Sequence, residues 1–371
     1  MARDPFGRVA LSSRRIAVLG AGLVGTRAAV HLATRGIDVV LVGRSALPRV
    51  PTPVAAAIET VHGFDHPIGR VDAAVLATES MHQVVVAGDL VERGIPTVAT
   101  ADRPEAVRAL WMRAGVAARR GVPLAVGVAH APGLTTAMIT HLARGFDEVE
   151  VITTARFGTG GPVCAREHHR SMGIPAYEVR GGRGRWVQGG SGRMLVWFPE
   201  PAGPHDCYRA GLAEPFLLQQ LYPTADRISA LQAATRRDRL TSHLPMLRAP
   251  HAEGLVGAAW AEVRGRRRDG AVEHRVMAAT APQASGAAAI AAVVAERLAA
   301  GQASAGELGR ANWATIGTEL LRAMPDDVGL WIYDGVVADD DRPNAPLQAA
   351  RKWRGGRETA GNVPTGAKSF K

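Results

Sequence analysis

Gly20, Gly22 and Gly25 stand at GxGxxG spacing, directly after the apolar run Ile16 to Leu19 and before a helical segment, Thr26 to Arg35. At such a junction Gly20 permits the tight turn, Gly22 lets the backbone approach a pyrophosphate, and Gly25 lets helix and strand pack closely. Ala21, Leu23 and Val24 complete the turn, whose helix amides face the anion. The end of the next strand selects the nucleotide. An NAD site carries an acid about 20 residues past the first glycine, whereas this strand runs into Gly43, Arg44 and Ser45. Arg44 could fork onto a ribose phosphate and Ser45 could add a hydroxyl, so NADP is expected ahead of NAD.

Hydride transfer needs orientation, exclusion of water and one group that exchanges a proton with the carbonyl, hydroxyl or imine being converted. Histidine suits that role near neutral pH, and the candidates are His82, His130, His168 and His169. His130 precedes Pro132 and Gly133 in a turn at a predicted strand end, where open α/β sheets bind ligands. His168 and His169 lie in the unusual segment GTGGPVCAREHHRSMG, where Arg166 and Arg170 could clamp a substrate carboxylate. An exposed polar loop fits the same segment, because adjacent residues of a helix or strand do not share a face. Cys164 and His168 are four apart and would share a helical face, yet they fall short of a zinc ligand set, and no metal is expected. The same pair leaves open a thiol nucleophile with His168 as base, or a small buried side chain. Tyr177, with Trp186, Arg183 and Arg185, is a further candidate for the substrate side.

These residues need elements to hold them. The first part of the chain alternates apolar runs with helical segments, the rhythm of an α/β Rossmann doubly wound parallel sheet. Strands are predicted at Ile16–Leu19, Val39–Val42, Ala73–Ala77, Thr97–Ala99 and Leu124–Val128, with helices at Gln83–Arg93 and Pro104–Arg120. From Val149 the texture changes. Val149–Ala155, Met194–Phe198, Gly257–Val263 and Val272–Ala278 read as strands of a second, α+β domain built on a mainly antiparallel sheet. The expected division is a basic leader (1–13), a nucleotide-binding domain (14–133), a substrate and dimerisation domain (134–285), helices returning to the first domain (286–338) and a mobile tail (339–371).

Composition narrows the partners. The chain has 371 residues and a net charge of +10, carried almost wholly by scattered arginines with few aromatics among them. That pattern gives no phosphate track and no stacking platform, so an acidic small molecule is expected rather than nucleic acid. Two cysteines, Cys164 and Cys207, define no disulfide framework, and no apolar stretch of about 18 residues is present. A cytoplasmic protein without a membrane partner is expected.

Three stretches then stand out together: "DAAVLATES" from Asp72 with "HQVVVAGDLVERGIPTVATAD", "GVPLAVGVAHAPGLTTAMITHLA", and the late "ASGAAAIAAVVAERLAAGQASAGELG". The chain resembles the saccharopine dehydrogenase-like oxidoreductases over about residues 14 to 310, and more distantly the homoserine dehydrogenases. The resemblance implies that Ala77, Thr78 and Glu79 lie beside the nicotinamide ribose and that Thr100, Ala101 and Asp102 border the ring. It also implies that His130, Ala131, Pro132 and Gly133 form the loop where substrate meets cofactor, and that the protein is a homodimer. The family's catalytic lysines have no counterpart, since lysine occurs only at Lys352, Lys368 and Lys371. The expected activity is therefore an NADP-dependent oxidoreductase on the C=N/C–N or C=O/C–OH group of an amino-acid-like carboxylate. The missing lysines also fit an NADP-binding sensor without turnover on the same scaffold.

Overall fold

The computed structural model describes residues 14–44, 51–64, 68–246, 254–302, 313–336 and 350–355. The basic leader and Ser45 lie outside them. The chain forms two compact units, one from residues 1–129 and 287–312, the other from 130–286 and 313–371.

In the first unit the apolar runs become β1 (Arg15–Leu19), β2 (Asp38–Gly43), β4 (Ala73–Leu76), β5 (Thr97–Ala99) and β6 (Leu124–Val126). A further strand, β3 (Ile58–His62), pairs with β2 at the sheet edge. Sequence periodicity misses it because only Ile58 of the five is buried. Every pairing is parallel, in the order β3-β2-β1-β4-β5-β6. That is the doubly wound order, whose reversal next to β1 leaves a ligand position at the strand ends. The helices are α1 (Leu23–Thr34), α2 (Ser80–Glu92) and α3 (Pro104–Arg119). α1 buries Gly25, Ala28, Ala29, Leu32 and Ala33, the one-sided helical repeat that packs on a sheet.

The second unit opens with α4 (Leu134–Leu142), β7 (Glu148–Phe157), α5 (Pro162–Gly173), β8 (Ala176–Arg180) and β9 (Arg183–Val187). It continues through β10 (Met194–Trp197), β11 (Pro204–Arg209), α6 (Glu214–Leu221), β12 (Arg227–Ala233) and α7 (Arg236–Thr241). Then come β13 (Ala258–Arg266), β14 (Val272–Thr280) and α8 (Gln283–Ala299), which carries the chain back to the first unit. The sheet runs β10-β11-β12-β7-β13-β14-β15-β16, with the β8–β9 hairpin branching from β12. Only β12 and β7 pair in parallel; the other pairings are antiparallel. One face of this sheet is apolar, with Ala155, Cys207, Leu231, Trp260 and Ala278 in its core.

The C-terminal region departs from expectation. Residues 313–336, placed by the sequence with the first unit, form α9 (Trp313–Arg322) and β15 (Gly329–Val336) of the second. Gly317 lets α9 approach α4 closely, since a Cβ there would stand 1.9 Å from the Thr140 hydroxyl. β15 extends the sheet by pairing with β14. Part of the expected tail is ordered too: β16 (Ala350–Lys352) pairs with β15, and the Trp353 amide donates to the Leu330 carbonyl at 2.8 Å. Backbone pairing on an open edge, a long-range gain, outweighs the polar composition of that segment. No helix among the described residues is long and apolar enough to cross a membrane.

A buried carboxylate pins the hairpin. Glu178, 4% exposed at its side chain, accepts from Nε of Arg185 at 2.7 Å and Nε of Arg209 at 2.6 Å. Burial pushes its carboxyl up, but the two guanidiniums outweigh this and hold it below its ordinary value. That stability is present above the unfolded-state value of 4.5 and is lost as pH falls through the lower folded value. Both arginines are partly solvated, so Glu178→Gln should cost about 1–3 kcal/mol at neutral pH. Urea unfolding should show the gap to wild type narrowing in acid.

Candidate functional site

Two places gather chemistry, one in each unit. In the first, Gly20 has φ +120°, and a Cβ there would lie 2.5 Å from the Ala77 carbonyl oxygen. A Cβ on Gly25 would lie 1.7 Å from the Gly20 carbonyl oxygen. At Gly22 a Cβ would meet nothing within 4 Å. Two glycines thus exist to pack the turn, and the third opens space in front of it. Gly22 caps α1 with no side-chain hydrogen bond, so the first-turn amides, Leu23 and Val24 among them, are left for a ligand. Ala21 uses its carbonyl to accept from the Thr26 hydroxyl at 3.3 Å. Gly43 is buried at the end of β2 and Arg44 is exposed just beyond it.

The strand ends opposite are tied by hydrogen bonds. Thr100 donates its hydroxyl to the Leu76 carbonyl at 2.8 Å, and Gln83 donates to the Thr78 carbonyl at 2.8 Å. Ala77 is half-buried, Ala101 is buried, and Asp102 accepts from the Ser80 hydroxyl at 3.3 Å. Glu79 is committed to the fold: its carboxylate caps α2, accepting from the Met81 and His82 amides at 3.0 and 3.1 Å and from Arg103 at 3.0 Å. Burial raises its carboxyl, but those donors together hold it below the usual value. His82 is exposed on the same turn, with Nδ1 3.3 Å from the Thr78 hydroxyl.

The second place lies on the face of the large sheet opposite its apolar core. Arg156 and Gln232 are direct register partners on β7 and β12, one residue beyond the core pair Ala155 and Leu231. Strand alternation therefore turns both to the other face. Arg156 is 4% exposed; its Nε and Nη2 donate to Oε1 of Gln232 at 3.1 and 2.8 Å, and Nη1 reaches the Ala131 carbonyl at 3.4 Å. Gln232 in turn donates to the His168 carbonyl at 2.8 Å, and the Ser171 hydroxyl contacts the Gln232 oxygen at 3.1 Å. These bonds seat α5 on the sheet.

Seated so, α5 turns His168 inward. Its Nε2 lies 3.2 Å from Sγ of Cys164, one turn earlier, and that sulfur is 3.3 Å from Oε1 of Gln283 at the start of α8. Gln283 is fixed by donating to the Phe157 carbonyl at 3.2 Å. His130 completes the group: it is 4% exposed and neither ring nitrogen has a hydrogen-bond partner. A Cβ on Gly286 would stand 2.5 Å from its Nδ1, so glycine is what admits the ring. Pro132 follows a cis bond from Ala131, and Gly133, at φ +120°, caps α4.

Burial lowers both histidines, and the Arg156 charge lowers them further. His130 falls to about 4, with the Ala258 backbone pulling the other way without a hydrogen bond of good geometry. His168 falls well below its ordinary value, its shift also fed by His130 and opposed by the Gly158 backbone. Both rings are therefore neutral at physiological pH, each with one N–H and one lone pair.

Of the predicted catalytic residues in the second unit, the structure brings His130 and His168 together and turns His169 away. His169 points off the cluster and meets the Leu244 carbonyl at 2.9 Å, because a neighbour on a helix is rotated by about 100°. Arg166 is exposed and Arg170 reaches Glu167 at 3.6 Å. Tyr177 is held by Gln219 at 2.6 Å, a hydrogen bond that ties β8 to α6. Arg156, Gln232, Gln283 and Gly286 escaped the sequence reading. One signal was present for the first of them, a lone charge inside the otherwise uncharged strand run Val151 to Phe157. Among the described residues no group of three or more metal-ligating side chains occurs.

No protein-family model matches this chain, and no curated protein does. Among solved structures it is similar to apo saccharopine dehydrogenase (L-Glu forming) from Saccharomyces cerevisiae, at TM-score 0.56 and 11% identity, covering 82% of this chain and 96% of that one. It also matches a myo-inositol dehydrogenase from Corynebacterium glutamicum, at TM-score 0.40 and 16% identity, covering 84% and 96%. At 11% identity the first likeness establishes a shared fold.

Neutral buried histidines make acid costly. The unfolded chain takes up a proton at His130 near pH 6.5 and the folded one only near 4, so stability is full above 6.5 and declines as pH falls towards 4. This residue alone accounts for about 3 kcal/mol of that decline. Urea midpoints measured across the acid range should fall less steeply for His130→Gln than for wild type.

Proposed function

We propose that the chain is an NADP-dependent oxidoreductase acting on the C=N/C–N or C=O/C–OH group of an amino-acid-like carboxylate substrate. The observation that carries this reading is the open space at Gly22, flanked by Gly20 and Gly25, whose close packing fixes the turn. It stands at the end of β1, beside the reversal in strand order. A diphosphate seated there would take its hydrogen bonds from the first amides of α1. Arg44, exposed at the end of β2 with no acid in place of it, favours the ribose phosphate of NADP over the bare hydroxyls of NAD.

Bound, the dinucleotide would supply or accept a hydride. The protein would contribute the proton. His130 is neutral, buried and without a hydrogen-bond partner, so its N–H can donate to a carbonyl oxygen or imine during reduction and its lone pair can accept during oxidation. The likeness in fold to a saccharopine dehydrogenase supports the same reading.

Fluorescence titration with NADPH and NADH tests it. NADPH should bind at least about tenfold more tightly, a difference of about 1.4 kcal/mol. Arg44→Glu should abolish that preference. Gly22→Leu should leave Tm unchanged, since the side chain enters open space, and weaken both nucleotides. Failure of both nucleotides to bind wild type overturns the proposal.

A further inference from the structure

Cys164 is the group in the second unit that the reading above leaves unused. It sits in the first turn of α5, a twelve-residue helix capped by Gly161 without a side-chain hydrogen bond. The Val163 amide beside it has no acceptor inside the helix. The thiol is partly exposed, and its Sγ touches Nε2 of His168 at 3.2 Å and Oε1 of Gln283 at 3.3 Å. Glycine borders it: a Cβ on Gly160 would lie 3.5 Å from the sulfur, so that position closes in without covering it. Gln283 and Gly286 are three apart on α8 and share a face. That face meets the thiol through Gln283 and the His130 ring through Gly286. The buried, partnerless nitrogens of His130 and the thiol–imidazole pair thus line the same helical turn.

We propose that Cys164 captures an aldehyde covalently, with His168 as its proton relay and His130 as the hydrogen-bond donor to the former carbonyl oxygen. The inference names the substrate class of the activity proposed above. It rests on that reading for the fate of the adduct and not for its formation. The sulfur forms a bond to the aldehyde carbon as the C=O π pair moves to oxygen. The thiol proton passes to Nε2 of His168 and on to the new alkoxide, giving a neutral thiohemiacetal. Nothing is oxidised or reduced, and no co-reactant is needed. Because Arg156 and burial make imidazolium costly, the proton does not rest on His168 but continues to the more basic alkoxide.

Alkylation by iodoacetamide, read by peptide mass spectrometry at both cysteines, tests the proposal. Cys207 is fully buried and reports unfolding. Succinic semialdehyde should protect Cys164 saturably, while succinate and 4-hydroxybutyrate should not. His168→Asn should slow alkylation on the order of 10²-fold with Cys207 still protected. Equal labelling with and without the aldehyde, or equal protection by succinate, overturns the proposal. If Cys207 reacts in the variant, the wild-type comparison of aldehyde with acid decides alone. NADPH titration of the same samples separates the two readings. Lost nucleotide binding with intact protection removes only the dehydrogenase, and intact binding without protection removes only the adduct.

Discussion

A guanidinium set inside a sheet is the constraint around which the second unit is organised. Taking Arg156 out of water costs several kcal/mol unless its donors are satisfied. Gln232, placed opposite it by the parallel register of β7 and β12, supplies an oxygen to two of its nitrogens. The remaining groups follow in sequence: the Gln232 amide holds the His168 carbonyl, which fixes the rotation of α5, which turns His168 inward and His169 outward. The Ala131 carbonyl brings the loop bearing His130 to the same charge. One buried cation therefore helps to position the two inward histidines and adds its charge to the burial that chiefly keeps them neutral.

The first unit solves a different problem with backbone alone. Its glycine turn brings backbone against backbone, and side chains would obstruct it. Gly20 and Gly25 are required by contacts that a Cβ would violate at once, whereas a Cβ on Gly22 would meet only open space. Glu79 illustrates the economy of such strand ends. Its carboxylate is spent on the amides of α2 and on Arg103, so an acid next to the expected nicotinamide position serves the helix.

Legibility differed between the units for a physical reason. The parallel sheet is buried on both faces, so each strand reads as an unbroken apolar run, and five of six were recognisable. The exception, β3, lies at the edge and buries one residue. In the second unit, Tyr177 to Arg180 and His205 to Arg209 mix charge into strands that are held by cross-strand ion pairs such as Glu178 with Arg185 and Arg209. Their stability comes from partners distant in sequence, which local pattern does not contain. The same holds for β15 and β16, which belong to the sheet only because β14 leaves an edge for them.

By itself the sequence determined the glycine turn after β1, because GxGxxG between an apolar strand and a helix encodes its geometry in adjacent residues. It also placed Cys164 and His168 on one helical face, since a spacing of four suffices for that. Which histidine turns inward, and the burial and arginine charge that keep it neutral, were decided only by tertiary structure. Arg156, Gln232 and the pair Gln283 and Gly286 come from three separate elements, β7, β12 and α8, and Arg156 with Gln232, 76 residues apart, meets through strand register. Burial and charge at a site are properties of the assembled fold, and no local stretch of chain carries them.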